Sequence, residues 1–143
     1  MIDFLVYALP RSGSAWLSNF LTYGSSFCYH EPLRNGPLES LPLVAPVTGA
    51  ADTGAYLFPV TARRTYALVR DPRDVVRALS KLGLPMVQDF ELFHEQTRDL
   101  VTWRYERLFD VGYLREIWTE VVGPGFNETR ARQLTEMTVV WRF

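Results

Sequence analysis

The stretch Leu9-Pro10-Arg11-Ser12-Gly13-Ser14-Ala15-Trp16-Leu17 joins an apolar run, Ile2–Leu9, to an amphipathic segment. Hydrophobic residues fill nearly every position of the apolar run, which predicts a buried, central strand of a parallel sheet. Pro10 ends that strand, and apolar side chains at helical spacing then predict a helix from about Ser14 to Tyr23. The chain therefore opens with a strand, a short loop and a helix.

The loop between this strand and this helix has the composition of an anion site. Gly13 allows a turn in which backbone N–H groups at the helix start point to one place, where the helix dipole adds partial positive charge. Arg11 adds a full positive charge, and Ser12 and Ser14 add hydroxyl donors. These residues predict a cradle for a phosphate or sulfate group, although an ordinary capped helix after a turn uses the same residue types.

A second turn carries similar chemistry. The strand candidate Thr65–Val69 is followed by Arg70-Asp71-Pro72-Arg73-Asp74, in which Asp71 suits a helix N-cap and Pro72 suits the first helical position. In a parallel sheet, ligands bind at the carboxyl ends of the strands. We therefore expect the two turns, residues 10–16 and 70–74, to lie at the same edge of the sheet.

The rest of the chain alternates between strand and helix patterns. Further strands are predicted at Phe27–His30 and Leu100–Tyr105, and further helices at Phe90–Arg98, at Tyr113–Val122 and from Glu128 to about Val140. Residues 32–64, where prolines and glycines recur, are predicted to form a long loop or lid. This alternation predicts an α/β fold, with a parallel sheet covered by helices on both faces.

The composition narrows the possible functions. A chain of 143 residues fits one domain, residues 1–143, and its net charge of −1 gives no general basic field for nucleic acid. One cysteine and two histidines predict neither a disulfide framework nor a metal site. No run is long enough for a transmembrane helix and no basic region precedes Ile2–Leu9, so we expect a cytoplasmic protein that does not bind membranes. Four tryptophans in a short chain are consistent with a homodimer.

Two other chemistries fit the sequence less well. An ATP-dependent kinase needs the pattern G-x-x-x-x-G-K-[ST], but no lysine stands beside Gly13, and Lys81 is the only lysine of the chain. Cys28 and Arg34 match the C-x5-R pattern of phosphatases. The residues between them lack the glycines that turn backbone amides inward, and Glu31 would repel a phosphate there.

Three segments resemble motifs of the sulfotransferases. Leu9–Leu17 is similar to the family's 5′-phosphosulfate loop, commonly PKSGTTWL or PRSGTTWL. Val69–Val75 is similar to the family's 3′-phosphate motif, R-[ND]-P-[RK]-D-V, and Arg104–Leu108 resembles the segment usually written RYEDL. The three segments occur in the family's order and span residues 9–108.

The resemblance implies a P-loop NTPase-like sulfotransferase fold and a donor, 3′-phosphoadenosine 5′-phosphosulfate (PAPS), which leaves as 3′-phosphoadenosine 5′-phosphate (PAP) without help from a metal. By this resemblance the 5′-phosphosulfate would lie on Arg11-Ser12-Gly13-Ser14-Ala15-Trp16, the 3′-phosphate on Arg70 and the adenine on Tyr105. Arg11 would also neutralise charge that develops on the leaving phosphate.

The sequence departs from the family pattern at two binding positions. Ala15 replaces the second hydroxyl residue of the loop, and Ala78 stands where the family has a serine for the 3′-phosphate. These departures keep open an alternative function, a non-catalytic protein that binds PAPS or PAP.

Sulfuryl transfer also needs a group that takes the proton of the acceptor. Tyrosylprotein sulfotransferases, which this chain resembles here, have a glutamate eighteen residues after the loop glycine, and that position is Glu31. Glu31 is therefore the expected base, with His30 as the second candidate. The alternative is that Glu31 is a structural ion-pair partner of Arg34 or Arg11. The acceptor, a hydroxyl or an amine, is not identified by the sequence, and residues 36–62 are expected to line its site.

Overall fold

The computed structural model describes residues 1–84 and 89–139, without the side chains of residues 138 and 139. The strands are β1 (Phe4–Ala8), β2 (Ser26–His30), β3 (Val47–Asp52), β4 (Arg64–Val69) and β5 (Val101–Arg104). The helices are α1 (Ser14–Phe20), α2 (Pro72–Lys81), α3 (Phe90–Thr97), α4 (Val111–Val121) and α5 (Glu128–Val139). Among these described helices, none has the length and apolar character needed to cross a membrane.

All five strands are parallel, in the order β2-β3-β1-β4-β5, and β1 lies at the centre as the apolar run predicts. Phe4, Val6 and Ala8 face one side, where they share a core with residues of α1, α4 and α5. Leu5 faces the other side, in a second core that includes Leu38. The predicted α/β fold with both sheet faces covered is confirmed.

Strand β3 lies within the stretch that the sequence predicts as one long loop, residues 32–64. It pairs with both β1 and β2, so it occupies an interior position of the sheet. Gly49, Ala50 and Ala51 carry small side chains with little strand signal, which is why a hydrophobicity pattern does not detect this strand. Gly49 is needed because a Cβ atom there would overlap the ring of Phe4. The prediction of an uninterrupted loop is therefore wrong for Val47–Asp52.

The helix boundaries follow local capping chemistry. Asp71 caps α2 by accepting a hydrogen bond from the Arg73 N–H at 2.9 Å, as the sequence predicts. Helix α1 ends at Phe20, before the predicted Tyr23, because the chain turns there into a bridge between Tyr23 and Ser26. Asn127 accepts from the Arg130 N–H at 3.0 Å at the start of α5, whose predicted end at Val140 lies outside the described residues.

Candidate functional site

A cleft of about 550 Å³ opens at the carboxyl ends of the strands. Its walls come from the loop after β1, the end of β2, helix α2 and the turn that follows β5. The lining residues that determine its chemistry are Arg11, Gly13, Ser14, Ala15, Trp16, His30, Glu31, Arg34, Thr53, Arg70, Ala78 and Tyr105. The two turns that the sequence predicts at one edge of the sheet thus share one cleft.

The loop after β1 has a tightly wound backbone. Arg11 and Gly13 both have left-handed backbone angles, with φ of 63° and 92°. A Cβ atom on Gly13 would lie 2.9 Å from Cδ2 of Tyr105, so this position requires glycine for both conformation and space. The Arg11 guanidinium has no hydrogen bond or ion pair within residues 1–84 and 89–139. A full positive charge is therefore available at this loop.

Arg70 connects the two turns. Its NH1 group donates to the carbonyl oxygen of Arg11 at 2.7 Å, although the residues are 59 positions apart in sequence. Its guanidinium carbon lies 4.2 Å from the centre of the Tyr105 ring, a cation–π contact. An arginine side chain has five N–H donors, so these contacts leave donors of Arg70 for a bound anion.

Glu31 is held at the end of β2 by two hydrogen bonds from one residue. The Thr53 backbone N–H donates to Oε1 and the Thr53 hydroxyl donates to Oε2, each at 2.9 Å. Glu31 is 9% exposed, and its φ of 57° places a non-glycine residue in the left-handed region, which costs energy. Arg34 lies 3.7 Å from Oε2 through its Nε atom, so the ion pair considered from the sequence is present.

His30 lies between the loop after β1 and this carboxylate. Its Nε2 atom is 3.4 Å from the Ser14 hydroxyl and 3.7 Å from Oε1 of Glu31. The His30 side chain is 40% exposed. Both candidate bases therefore stand beside the loop at the same end of the cleft.

Two further residues of the loop, Trp16 and Ser12, line different pockets. Trp16 lines the cleft and packs against Phe109, with ring centres 5.7 Å apart, while Tyr105 meets Phe109 edge-to-face at 5.8 Å. Ser12 is 1% exposed and does not line this cleft; it lines a neighbouring pocket instead. The aromatic end of the cleft and the loop thus adjoin, with the Ser12 side chain on the far side.

Two residues of the site carry no sequence signal. Thr53, which holds Glu31, follows β3 within the stretch predicted as a loop. Asp52 is 1% exposed and accepts from the N–H groups of Leu33 at 3.0 Å and Gly54 at 2.7 Å, which fixes the turn beside Glu31. From the sequence, these two residues can be placed next to the end of β2 only if strand β3 is predicted.

Cys28 does not meet the needs of a phosphatase nucleophile. It lies within β2 in the core, 5% exposed, and it is not among the residues of the cleft. Burial raises the pKa of the Cys28 thiol far above its usual range, whereas a nucleophilic cysteine needs a lowered one. In the described part of the chain, no three His, Cys, Asp or Glu residues are grouped so that they could hold a metal ion.

Comparison of sequences gives no match to a family model or to a curated protein. Comparison of the fold finds a crystal structure of mouse sulfotransferase SULT7A1 complexed with PAP, with a TM-score of 0.64 at 17% sequence identity. The match covers 96% of this chain and 63% of that chain, so the present chain spans less than two thirds of that protein's length. At this identity the likeness shows a shared α/β fold of the P-loop-like type.

Proposed function

We propose that this chain is a sulfotransferase that moves a sulfuryl group from PAPS to an acceptor hydroxyl or amine. The observation that carries the proposal is the meeting of two cationic turns, at Arg11 and Arg70, in one cleft at the carboxyl edge of the sheet. The fold shared with a PAP-bound sulfotransferase supports the same assignment.

The chemistry of the cleft fits a ligand with two anionic ends. PAPS carries a 5′-phosphosulfate and a separate 3′-phosphate, so it needs two cationic sites. Arg11 and the Gly13 turn would take the first, and Arg70 would take the second. Trp16 and Tyr105 line the same cleft and offer aromatic surface for adenine. A cleft of about 550 Å³ lies within the usual range of small-molecule sites.

Glu31 is suited to accept the acceptor's proton. Each carboxylate oxygen has two lone pairs, and Thr53 uses one of them on each oxygen. In the proposed step a bond forms between the acceptor oxygen or nitrogen and sulfur, while the bond from sulfur to the 5′-phosphate oxygen breaks. The acceptor proton passes to Glu31. The electron pair of the broken bond stays on the 5′-phosphate oxygen of PAP, where the positive charge of Arg11 would stabilise it.

His30 remains the second candidate for the base. Its distance of 3.4 Å from the Ser14 hydroxyl puts it beside the loop that would hold the phosphosulfate. A neutral imidazole has one ring nitrogen with a free lone pair, which can accept the acceptor's proton. The two candidates separate by substitution, since each side chain can be replaced without removing the other.

The second candidate function, a non-catalytic protein that binds PAPS or PAP, rests on two residues of the cleft. Ala15 and Ala78 line it at positions where the sulfotransferases have hydroxyl residues, so two hydrogen bonds to the nucleotide are missing. With alanine at these two positions, the chain would bind the donor more weakly, or would bind the nucleotide without transferring the sulfuryl group.

Transfer of labelled sulfate decides between the two functions. The protein is incubated with sulfur-35-labelled PAPS and a mixed pool of phenols, alkyl alcohols, sugars and amines, and labelled products are separated from the donor. We expect acceptor-dependent labelled product, and its loss in Glu31→Gln. Tight binding of PAPS without any labelled product would support the binding protein, and absence of binding would refute both functions.

A further inference from the structure

A second pocket of about 470 Å³ lies next to the cleft of about 550 Å³ that is proposed to hold PAPS, called here the donor cleft. Helix α3, the ends of β4 and β5, and the start of α2 form its walls, and the loop after β1 contributes Leu9 and Ser12. The other residues of that loop line the donor cleft. Arg70 is shared by both sets of lining residues, so it stands in the wall between them.

The rim of this pocket has an excess of positive charge. Arg70, Arg73, Arg98 and Arg104 line it, and Asp71 is the single acidic residue among its described lining residues. Arg73 is bonded to Asp71. The Arg98 and Arg104 guanidinium groups are less well satisfied, because each reaches one exposed carboxylate at 4.0 Å and neither donates a hydrogen bond within the described residues.

The lining of the pocket combines a buried serine with apolar side chains. Ser12 is 1% exposed, and its hydroxyl has no hydrogen-bond partner within residues 1–84 and 89–139. Leaving a buried hydroxyl unsatisfied costs free energy, so a ligand that bonds it recovers that loss. Leu9, Phe90 and Phe93 supply apolar surface to the same pocket.

We infer that this second pocket binds a small aromatic compound that carries a phosphate or sulfate group. The ring would contact Phe90 and Phe93, the anion would lie among Arg98 and Arg104, and a polar atom would bond the Ser12 hydroxyl. Because Arg70 faces both sites, an anion in this pocket competes for part of the charge offered to the donor cleft. Binding at the two sites is then mutually weakening.

Calorimetry with 1-naphthyl phosphate tests this site without any nucleotide. We expect the wild-type chain to bind this probe with a Kd below about 1 mM, and 1-naphthol or inorganic phosphate to bind more weakly. Arg98→Gln with Arg104→Gln should weaken the probe about tenfold or more. Ser12→Ala should weaken it severalfold. The matched control is Arg63→Gln, another exposed arginine that pairs with Asp3 and lines neither pocket, and it should bind like wild type.

The same titration at rising PAP concentration separates the pocket from the donor cleft. Two coupled sites predict that the probe's Kd rises to a plateau. A Kd that rises without limit would place the probe in the donor cleft and overturn the inference. Absence of binding, or equal weakening by Arg63→Gln and by the Arg98/Arg104 pair, would overturn it as well. If PAP fails to bind, the proposed function fails, but the comparison of variants still tests the pocket.

Discussion

Glu31→Gln and Thr53→Val together test whether Glu31 is a base or only a structural partner, because both disturb the same contact. The Thr53 hydroxyl donates to Oε2 of Glu31 at 2.9 Å, and Thr53→Val removes this donor. Glu31→Gln keeps the size of the side chain, and its oxygen can still accept from the Thr53 N–H while its N–H₂ group donates to the Thr53 hydroxyl, but two charge-assisted hydrogen bonds become neutral ones. Thr53→Val loses one hydrogen bond to a charged group and Glu31→Gln weakens two of them, so each variant should lose about 1.5–3 kcal/mol.

The two variants should be alike in stability and different in rate. For a domain of this size 1 kcal/mol corresponds to roughly 2–4 °C, so both melting temperatures should fall by about 3–12 °C. Thr53→Val leaves the carboxylate in place, and we expect a rate loss of about tenfold from poorer positioning. Glu31→Gln removes the base itself, and the expected loss in kcat is about 10²–10⁴. The KM for the donor should stay near its wild-type value in both.

Differential scanning fluorimetry and initial rates of transfer from labelled PAPS measure the two effects side by side. Thr53→Ser keeps the hydroxyl and serves as the control that restores both stability and rate. If Glu31→Gln slows transfer no more than Thr53→Val does, Glu31 acts through structure alone. If transfer survives Glu31→Gln and is lost in His30→Ala, the base is His30.

Three further outcomes are expected. Arg70→Ala should weaken PAP about tenfold to a hundredfold in calorimetry but weaken 5′-AMP, which lacks the 3′-phosphate, much less. Arg77→Ala is the control, since Arg77 is an exposed arginine of helix α2 that pairs with Asp74, and equal losses for both nucleotides in Arg70→Ala would refute the role of Arg70. Hydrogen bonds from Arg73 hold the pKa of the Asp71 carboxyl below its usual range. The stability that this interaction contributes is present above the unfolded pKa of about 3.9 and is lost as the pH falls through the lower folded pKa. The loss of Tm in Asp71→Ala should therefore be largest near pH 7 and should shrink in the acid range. A loss of Tm that stays constant down to the lowest pH would contradict this role of Asp71. Because burial raises the pKa of the Cys28 thiol, the native protein should resist iodoacetamide at pH 8 and react after unfolding in urea, as followed by mass spectrometry; rapid labelling of the folded chain would show that Cys28 is accessible.

Local sequence signals predict much of the fold. Asp71 and Pro72 mark the start of helix α2, because capping is decided by neighbouring residues. The apolar run predicts β1 as a central strand for a similar reason, since both of its faces are buried. Strand β3 lacks such signals. It fits beside β1 because Gly49 has no side chain to overlap the Phe4 ring, and this contact joins residues that are far apart in sequence.

The site is predictable where its residues are close in sequence and not where distant segments meet. The loop containing Arg11 and Gly13 follows from its own pattern. The hydrogen bond from Arg70 to Arg11 joins positions 59 residues apart, and the support of Glu31 by Thr53 joins positions 22 residues apart. Both depend on the order of strands in the sheet, which the sequence pattern does not give.

The central claim is that the cleft between Arg11 and Arg70 is a site for PAPS and PAP. Isothermal titration calorimetry of the wild-type chain with PAP, 5′-AMP and ATP with magnesium tests it most directly. We expect one PAP to bind per chain, 5′-AMP to bind about tenfold or more weakly because Arg70 loses the 3′-phosphate, and ATP with magnesium to bind more weakly than PAP. Tighter binding of ATP with magnesium than of PAP would refute the assignment of this cleft to PAPS and favour a kinase.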